Sequence, residues 1–139
     1  MAHPYSLALT MWQYLIVLQL ARQEETCDRL ATELIQLSRE HHFPVMLGNG
    51  MFFMGWASAE AGDLEPGIAL MEQGLGLLSS SGRRVLRPYM QTVLARAMRR
   101  LGGGLLRSSD EASVMLVERR GWTSHHFVSD FFSLHHGHR

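Results

Sequence analysis

The sequence predicts an all-α fold, and three observations carry that expectation. Leu, Met and Ala dominate the apolar content while Val and Ile are few, and unbranched side chains lose little rotamer freedom in a helix. Apolar residues recur at spacings of three and four, as on one face of a helix. Chain-breaking residues fall at intervals of helix length, with no alternating strand pattern between them. With 139 residues, the chain has the size of one domain and can bury about two thirds of the surface its unfolded form exposes.

Pro4 opens a first helix near 5–20, apolar nearly all round through Tyr5, Leu7, Ala8, Leu9, Met11, Trp12, Tyr14, Leu15, Ile16, Val17, Leu18 and Leu20. The polar cluster Arg22-Gln23-Glu24 ends it. The second helix, near 24–41, gathers Cys27, Leu30, Ala31, Leu34, Ile35 and Leu37 into one stripe and sets acids and arginines opposite. Phe43-Pro44 separates it from a third helix near 45–61, and Gly62-Asp63 makes the next turn. Asp63 is the expected N-cap of a fourth helix near 65–80, with Ile68, Met71, Leu75 and Leu78 as its stripe. Pro66 lies in that helix's first turn, where a missing N–H costs nothing. Ser79 to Gly82, Gly102 to Gly104 and Gly121 bound a fifth helix near 84–101, a sixth near 109–120 and a seventh near 123–134.

Short connections make consecutive helices antiparallel hairpins. A constant shift lays the hairpin 5–41 on the hairpin 45–81, with Arg22-Gln23 over Gly62-Asp63, and a third copy, 84–120, follows with its turn at Gly102-Gly103. Such self-similarity is the mark of stacked helical repeats. The expected architecture is therefore one domain of three hairpins forming a short α-solenoid, with residues 121–139 a divergent C-terminal helix or tail.

Charge and cysteine content exclude several classes of function. A single cysteine, Cys27, rules out an intramolecular disulfide, and no Cys/His spacing of the structural zinc type occurs. This suits a reducing, cytoplasmic setting. The apolar run from Leu15 to Leu18 is too short and too interrupted to span a bilayer. Net charge is zero, and with no reading motif that argues against nucleic acid as the partner. The distribution is uneven, however: residues 1–72 hold nine acids against three arginines, a balance of minus six, while seven arginines and no acid lie between Glu72 and Asp110.

The middle hairpin carries a family likeness. Met54-Gly55, the Gly62-Asp63 turn, and Gly67, Met71 and Gly74 on the second helix resemble the large and small positions of tetratricopeptide (TPR) repeats, where small residues let helices approach closely. The wider pattern runs from Arg39-Glu40-His41-His42-Phe43-Pro44 to Gly55-Trp56-Ala57, and from Gly82 to Arg87-Pro88-Tyr89. It is similar to the helical-repeat tails of large bacterial signalling proteins, which follow cyclase, ATPase or transcription-regulator domains. The resemblance covers residues 3 to 101 and implies a repeat fold and a protein-interaction role, with no chemistry. Leu15, where the family prefers a small residue, and the extra residues Gly104 to Ser109 depart from the pattern.

Repeat solenoids present the first helix of each hairpin on a concave face. The candidate binding residues there are Trp12, Ile16, Phe52, Trp56, Tyr89, Arg96, Arg99 and Arg100, since aromatic and arginine side chains dominate interface hot spots. Trp12, Phe52 and Trp56 equally suit the interhelical core. Arg96, Arg99 and Arg100 share one helix side; that side could hold a carboxylate, a phosphate or a nucleic-acid backbone, stay solvated, or meet the acidic first half of the chain or of a second copy. The histidine pairs His41-His42, His125-His126 and His135-His136, with His138, lack the spacing of a metal site. No catalytic group can be assembled. Cys27 lies on an apolar stripe with no partner base, and the acid pairs suit first turns of helices. Neither a cofactor nor an enzymatic activity is expected.

A terminal repeat needs a polar outer side to stay soluble, and the first helix lacks one. It is therefore expected to be covered, by a second copy in a homodimer through Tyr5, Leu9, Trp12 and Ile16, or by a preceding domain. The expected role is a protein- or peptide-binding scaffold or adaptor, regulatory and self-associating. The alternative is a sensor that closes its groove around a small anionic ligand.

Overall fold

The computed structural model describes residues 3–81 and 86–101, and among them it contains five α-helices and no strand. Helix α1 spans Pro4–Leu20, α2 Glu24–His41, α3 Pro44–Glu60, α4 Leu64–Ser80 and α5 Arg87–Leu101. The all-helical expectation thus holds, with the first four helices placed within a residue of their expected limits. The sixth and seventh expected helices, the expected start of the fifth at 84, the turn at Gly102-Gly103 and the C-terminal histidines lie outside the described residues.

Pro4 and Pro44 occupy the first helical position of α1 and α3, where fixed φ suits the helix and the absent N–H is not missed. Asp63 stands at the N-cap of α4, but its side chain makes no capping hydrogen bond; the Gly67 N–H donates to its backbone carbonyl at 2.9 Å.

The first helices of the two hairpins end in the same way. At the end of α1, the Arg22 N–H donates to Gln19 O (3.0 Å) and the Gln23 N–H to Leu18 O (2.9 Å). At the end of α3, Gly62 N–H donates to Ala59 O (3.2 Å) and Asp63 N–H to Ser58 O (2.9 Å). Both are Schellman endings, in which the residue after the cap turns left-handed. Gly62 does so with φ 114° and Arg22 with φ 58°.

Helix α3 is the hub. It packs most extensively against α4, then α2, and also touches α1 and α5. Every residue from Met46 to Ala59 is buried. Two glycine pairs set the α3–α4 distance: a Cβ on Gly55 would lie 2.6 Å from the Gly67 carbonyl oxygen, and one on Gly74 would lie 2.5 Å from that of Gly48. Backbone meets backbone there, as the small-residue pattern of the middle hairpin predicts. The equivalent positions of the first hairpin hold Ala8, Leu15, Cys27 and Leu34, all fully buried. These positions carry side chains where the second hairpin has glycine. On α2, the buried stripe Cys27, Ala31, Leu34, Ile35 and Ser38 faces inward, while Glu25, Arg29, Glu33, Gln36 and Glu40 face solvent.

Candidate functional site

The candidate residues separate into three environments. Phe52 is fully buried and meets Phe53 edge to face at 5.4 Å between ring centroids; it belongs to the core and faces no groove. Trp12 lines a small apolar recess of about 40 Å³ with Met46, Leu78 and Met90, and Ile16 packs partly buried against the core. Trp56, Arg96, Arg99 and Arg100 come together.

Their meeting place is a recess of about 360 Å³ beside the C-terminal ends of α1 and α3, walled on its third side by α5. Trp56, Val93 and Ala97 give it an apolar floor, all nearly closed to solvent. Four guanidinium groups, from Arg22, Arg96, Arg99 and Arg100, ring it, with Gln19 and Glu60. Among the described residues Glu60 is the one acid in the wall. Its Oε1 accepts from Arg22 Nη2 at 3.2 Å and its Oε2 from Arg100 Nη1 at 3.0 Å. A smaller adjoining recess of about 160 Å³ extends past Arg96 to Thr92 and Tyr89.

Tyr89 closes the top of this region. Its hydroxyl donates to Gln19 Oε1 at 2.6 Å, joining α5 to α1 across the fold. Burial, with a smaller contribution from Cys27, pushes the phenol well above its ordinary range. The phenol therefore remains a neutral donor.

The shift expected from the sequence aligns positions of the walls. Positions 16, 56 and 96 are Ile, Trp and Arg, and positions 20, 60 and 100 are Leu, Glu and Arg. Charge therefore appears in the copies at 60 and 100 where the first copy is apolar. Sequence reasoning singled out the arginines and Trp56 but missed Glu60, Arg22 and Gln19; reading equivalent repeat positions side by side is the signal that finds Glu60.

The uncovered apolar face of α1 is a separate feature, and it differs from the expected one. Tyr5, Leu9, Trp12 and Ile16 are partly buried against the core, Tyr5 edge to face with Phe43 at 5.1 Å. Leu7, Tyr14, Val17 and Leu20 are instead the exposed ones, at 44%, 55%, 56% and 66%. The inward stripe Ala8, Met11, Leu15 and Leu18 fixes the rotation of the helix, which turns 5, 9, 12 and 16 toward its neighbours.

No catalytic arrangement is seen among the described residues. Cys27 Sγ lies 3.8 Å from the Phe53 carbonyl oxygen. Burial, then the Asp28 charge, pushes its pKa up to about 12, so the thiolate that a nucleophile needs is suppressed. Among the described residues no cluster of His, Cys, Asp or Glu could hold a metal ion, and no helix is long and apolar enough to cross a membrane. Compared with protein-family models, curated proteins and solved structures, the chain matches none.

Proposed function

We propose that this chain is a helical interaction module, built from TPR-like hairpins, which self-associates and serves as an adaptor. The duplicated turn and the glycine-packed second hairpin support the stacked-repeat reading. The observation that carries the interaction role is the exposed face of α1. His3, Leu7, Thr10, Tyr14, Val17 and Ala21 are exposed along it at alternating spacings of four and three, the periodicity of a seam that pairs with another helix. No residue of α1 is charged. Two copies can therefore meet face to face with no like charges opposed, as a self-complementary two-fold interface requires.

The test uses charge. Val17→Glu and Val17→Lys should each dissociate the dimer, and mixing the two variants should restore a mixed dimer, read by sedimentation velocity. Variants that dissociate no dimer would remove α1 from the interface.

A second reading is favoured by one observation, the arginine-ringed recess. Its volume lies within the range of small-molecule sites, about 300–1,000 Å³, and its charge selects anions. In this reading the module also senses a small anionic ligand. Soluble anions that raise the melting temperature of the wild-type chain and leave that of an Arg96→Ala/Arg99→Ala variant unchanged would support it.

A further inference from the structure

We infer that the recess takes a compact polyanion, and that Glu60 is an internal counter-ion which the ligand displaces; the inference rests on reading the recess as an anion site. Four arginines against one glutamate leave the wall at plus three. The ends of α1 and α3 return about half a negative charge each, so about plus two remains. Among the described residues, Arg96 and Arg99 have no acidic partner. One carboxylate cannot balance this wall, and a ligand with two or three negative groups can.

Glu60 holds the position such a ligand would take. It gives one oxygen to each of two arginines that come from different helix ends. Its side chain is 20% exposed, and those of Arg22 and Arg100 are 62% and 49% exposed. Ion pairs this exposed contribute little to stability, so a ligand can readily exchange for them.

Arg22 points the same way. It occupies the left-handed turn position filled by Gly62 in the second hairpin, where a residue with a Cβ carries a steric cost. Glycine would suit the turn better. What the arginine adds is a guanidinium reaching Glu60 at the mouth of the recess. Left-handed non-glycine residues persist where the surroundings hold them, and they cluster at ligand sites.

Trp56, Val93 and Ala97 at the floor favour a small carbon or phosphorus frame whose charged oxygens point outward to the guanidinium forks. Those forks fit carboxylate and phosphate equally. The shared chemistry is a multiply charged oxyanion of small size, from either source.

The experiment is isothermal titration calorimetry on the full chain with citrate in one arm and inorganic pyrophosphate in the other. Glu60→Gln keeps the side-chain shape and removes the charge. At the few ångströms separating these groups, one unit charge in a partly solvated site is worth about a factor of ten. The expected result is about tenfold tighter binding to Glu60→Gln than to wild type, with Arg96→Ala/Arg99→Ala losing at least about tenfold and binding falling steeply with salt. The arm that binds tighter identifies the source. If neither probe binds wild type or Glu60→Gln, or if binding ignores the arginine pair, the anion site itself is overturned. If binding needs Arg96 and Arg99 but Glu60→Gln binds no tighter than wild type, the anion site stands and the counter-ion role is overturned. Circular dichroism and a melting curve within a few degrees of wild type certify that each variant is folded.

Discussion

The two hairpins α1–α2 and α3–α4 have helices of nearly the same length, turns closed by the same pair of hydrogen bonds, and one constant offset along the chain. They differ in what fills the space between the helices and in what covers the outside. In α3–α4, glycine pairs bring the backbones together and neighbouring helices bury α3 from Met46 to Ala59. In α1–α2, the equivalent positions hold buried Leu15, Cys27 and Leu34, and among the described residues Leu7, Tyr14, Val17 and Leu20 of α1 stay exposed. Two hairpins of similar length and turn geometry thus serve as a core element and an edge element. The edge keeps apolar surface that the core copy buries.

The sharpest way to break this comparison is to place alanine at equivalent positions, 15 and 55. Leu15→Ala leaves a cavity and should cost about 2–5 kcal/mol. Gly55→Ala drives a Cβ to 2.6 Å from the Gly67 carbonyl oxygen, and should cost about 1–3 kcal/mol or more through overpacking. Denaturant melts should therefore show both destabilised, for opposite reasons. Equal tolerance of alanine at 55 would mean that the glycine contact is not tight.

Exchanging the turn residues gives a smaller effect of opposite sign in the two copies. Arg22→Gly should stabilise by about 1 kcal/mol, since glycine enters the left-handed region without a Cβ penalty. Gly62→Ala, with φ 114°, should destabilise by at least about as much. The gain at position 22 should be accompanied by weaker anion binding, because the same change removes a guanidinium from the recess.

The smallest effect concerns Cys27, the first hairpin's counterpart of Gly67. Its pKa is raised from 9.0 to about 12 in the folded chain. Folding therefore favours the protonated thiol, and its contribution to stability is full below about pH 9 and is lost progressively as pH rises toward about 12. At pH 8, thiol reagents should label the native protein slowly and the denatured protein at once. Fast native labelling would show that the packing around Cys27 opens readily. Cys27→Ala should flatten the part of the alkaline stability loss that the thiol contributes.

Much of this was legible in the sequence because it is local. Prolines, glycines and polar clusters fixed the limits of four helices, since each acts on the backbone where it stands. Gly55, Gly67 and Gly74 were legible as close-packing positions. Gly48 was not singled out, although its spacing from Gly55 equals that of Gly67 from Gly74, which places each pair on one helix face two turns apart.

The rotation of α1 was not legible. A helix that is apolar all round has no polar stripe to orient it, so the contacts of Ala8, Met11, Leu15 and Leu18 decide which residues stay outside. Phe52 was ambiguous for the same reason on α3. The arginines of α5 were legible from their spacing of three and four. Glu60, Arg22 and Gln19 join them only through tertiary packing, which no single segment encodes.

The central claim is that the face of α1 left exposed among the described residues is covered by a second copy of the chain. Light scattering on the full chain at micromolar concentration measures this directly. The predicted mass is twice the 15.7 kDa of one chain, falling to that of a single chain in Tyr14→Glu/Val17→Glu. A stable wild-type mass of 15.7 kDa across that concentration range would contradict the claim.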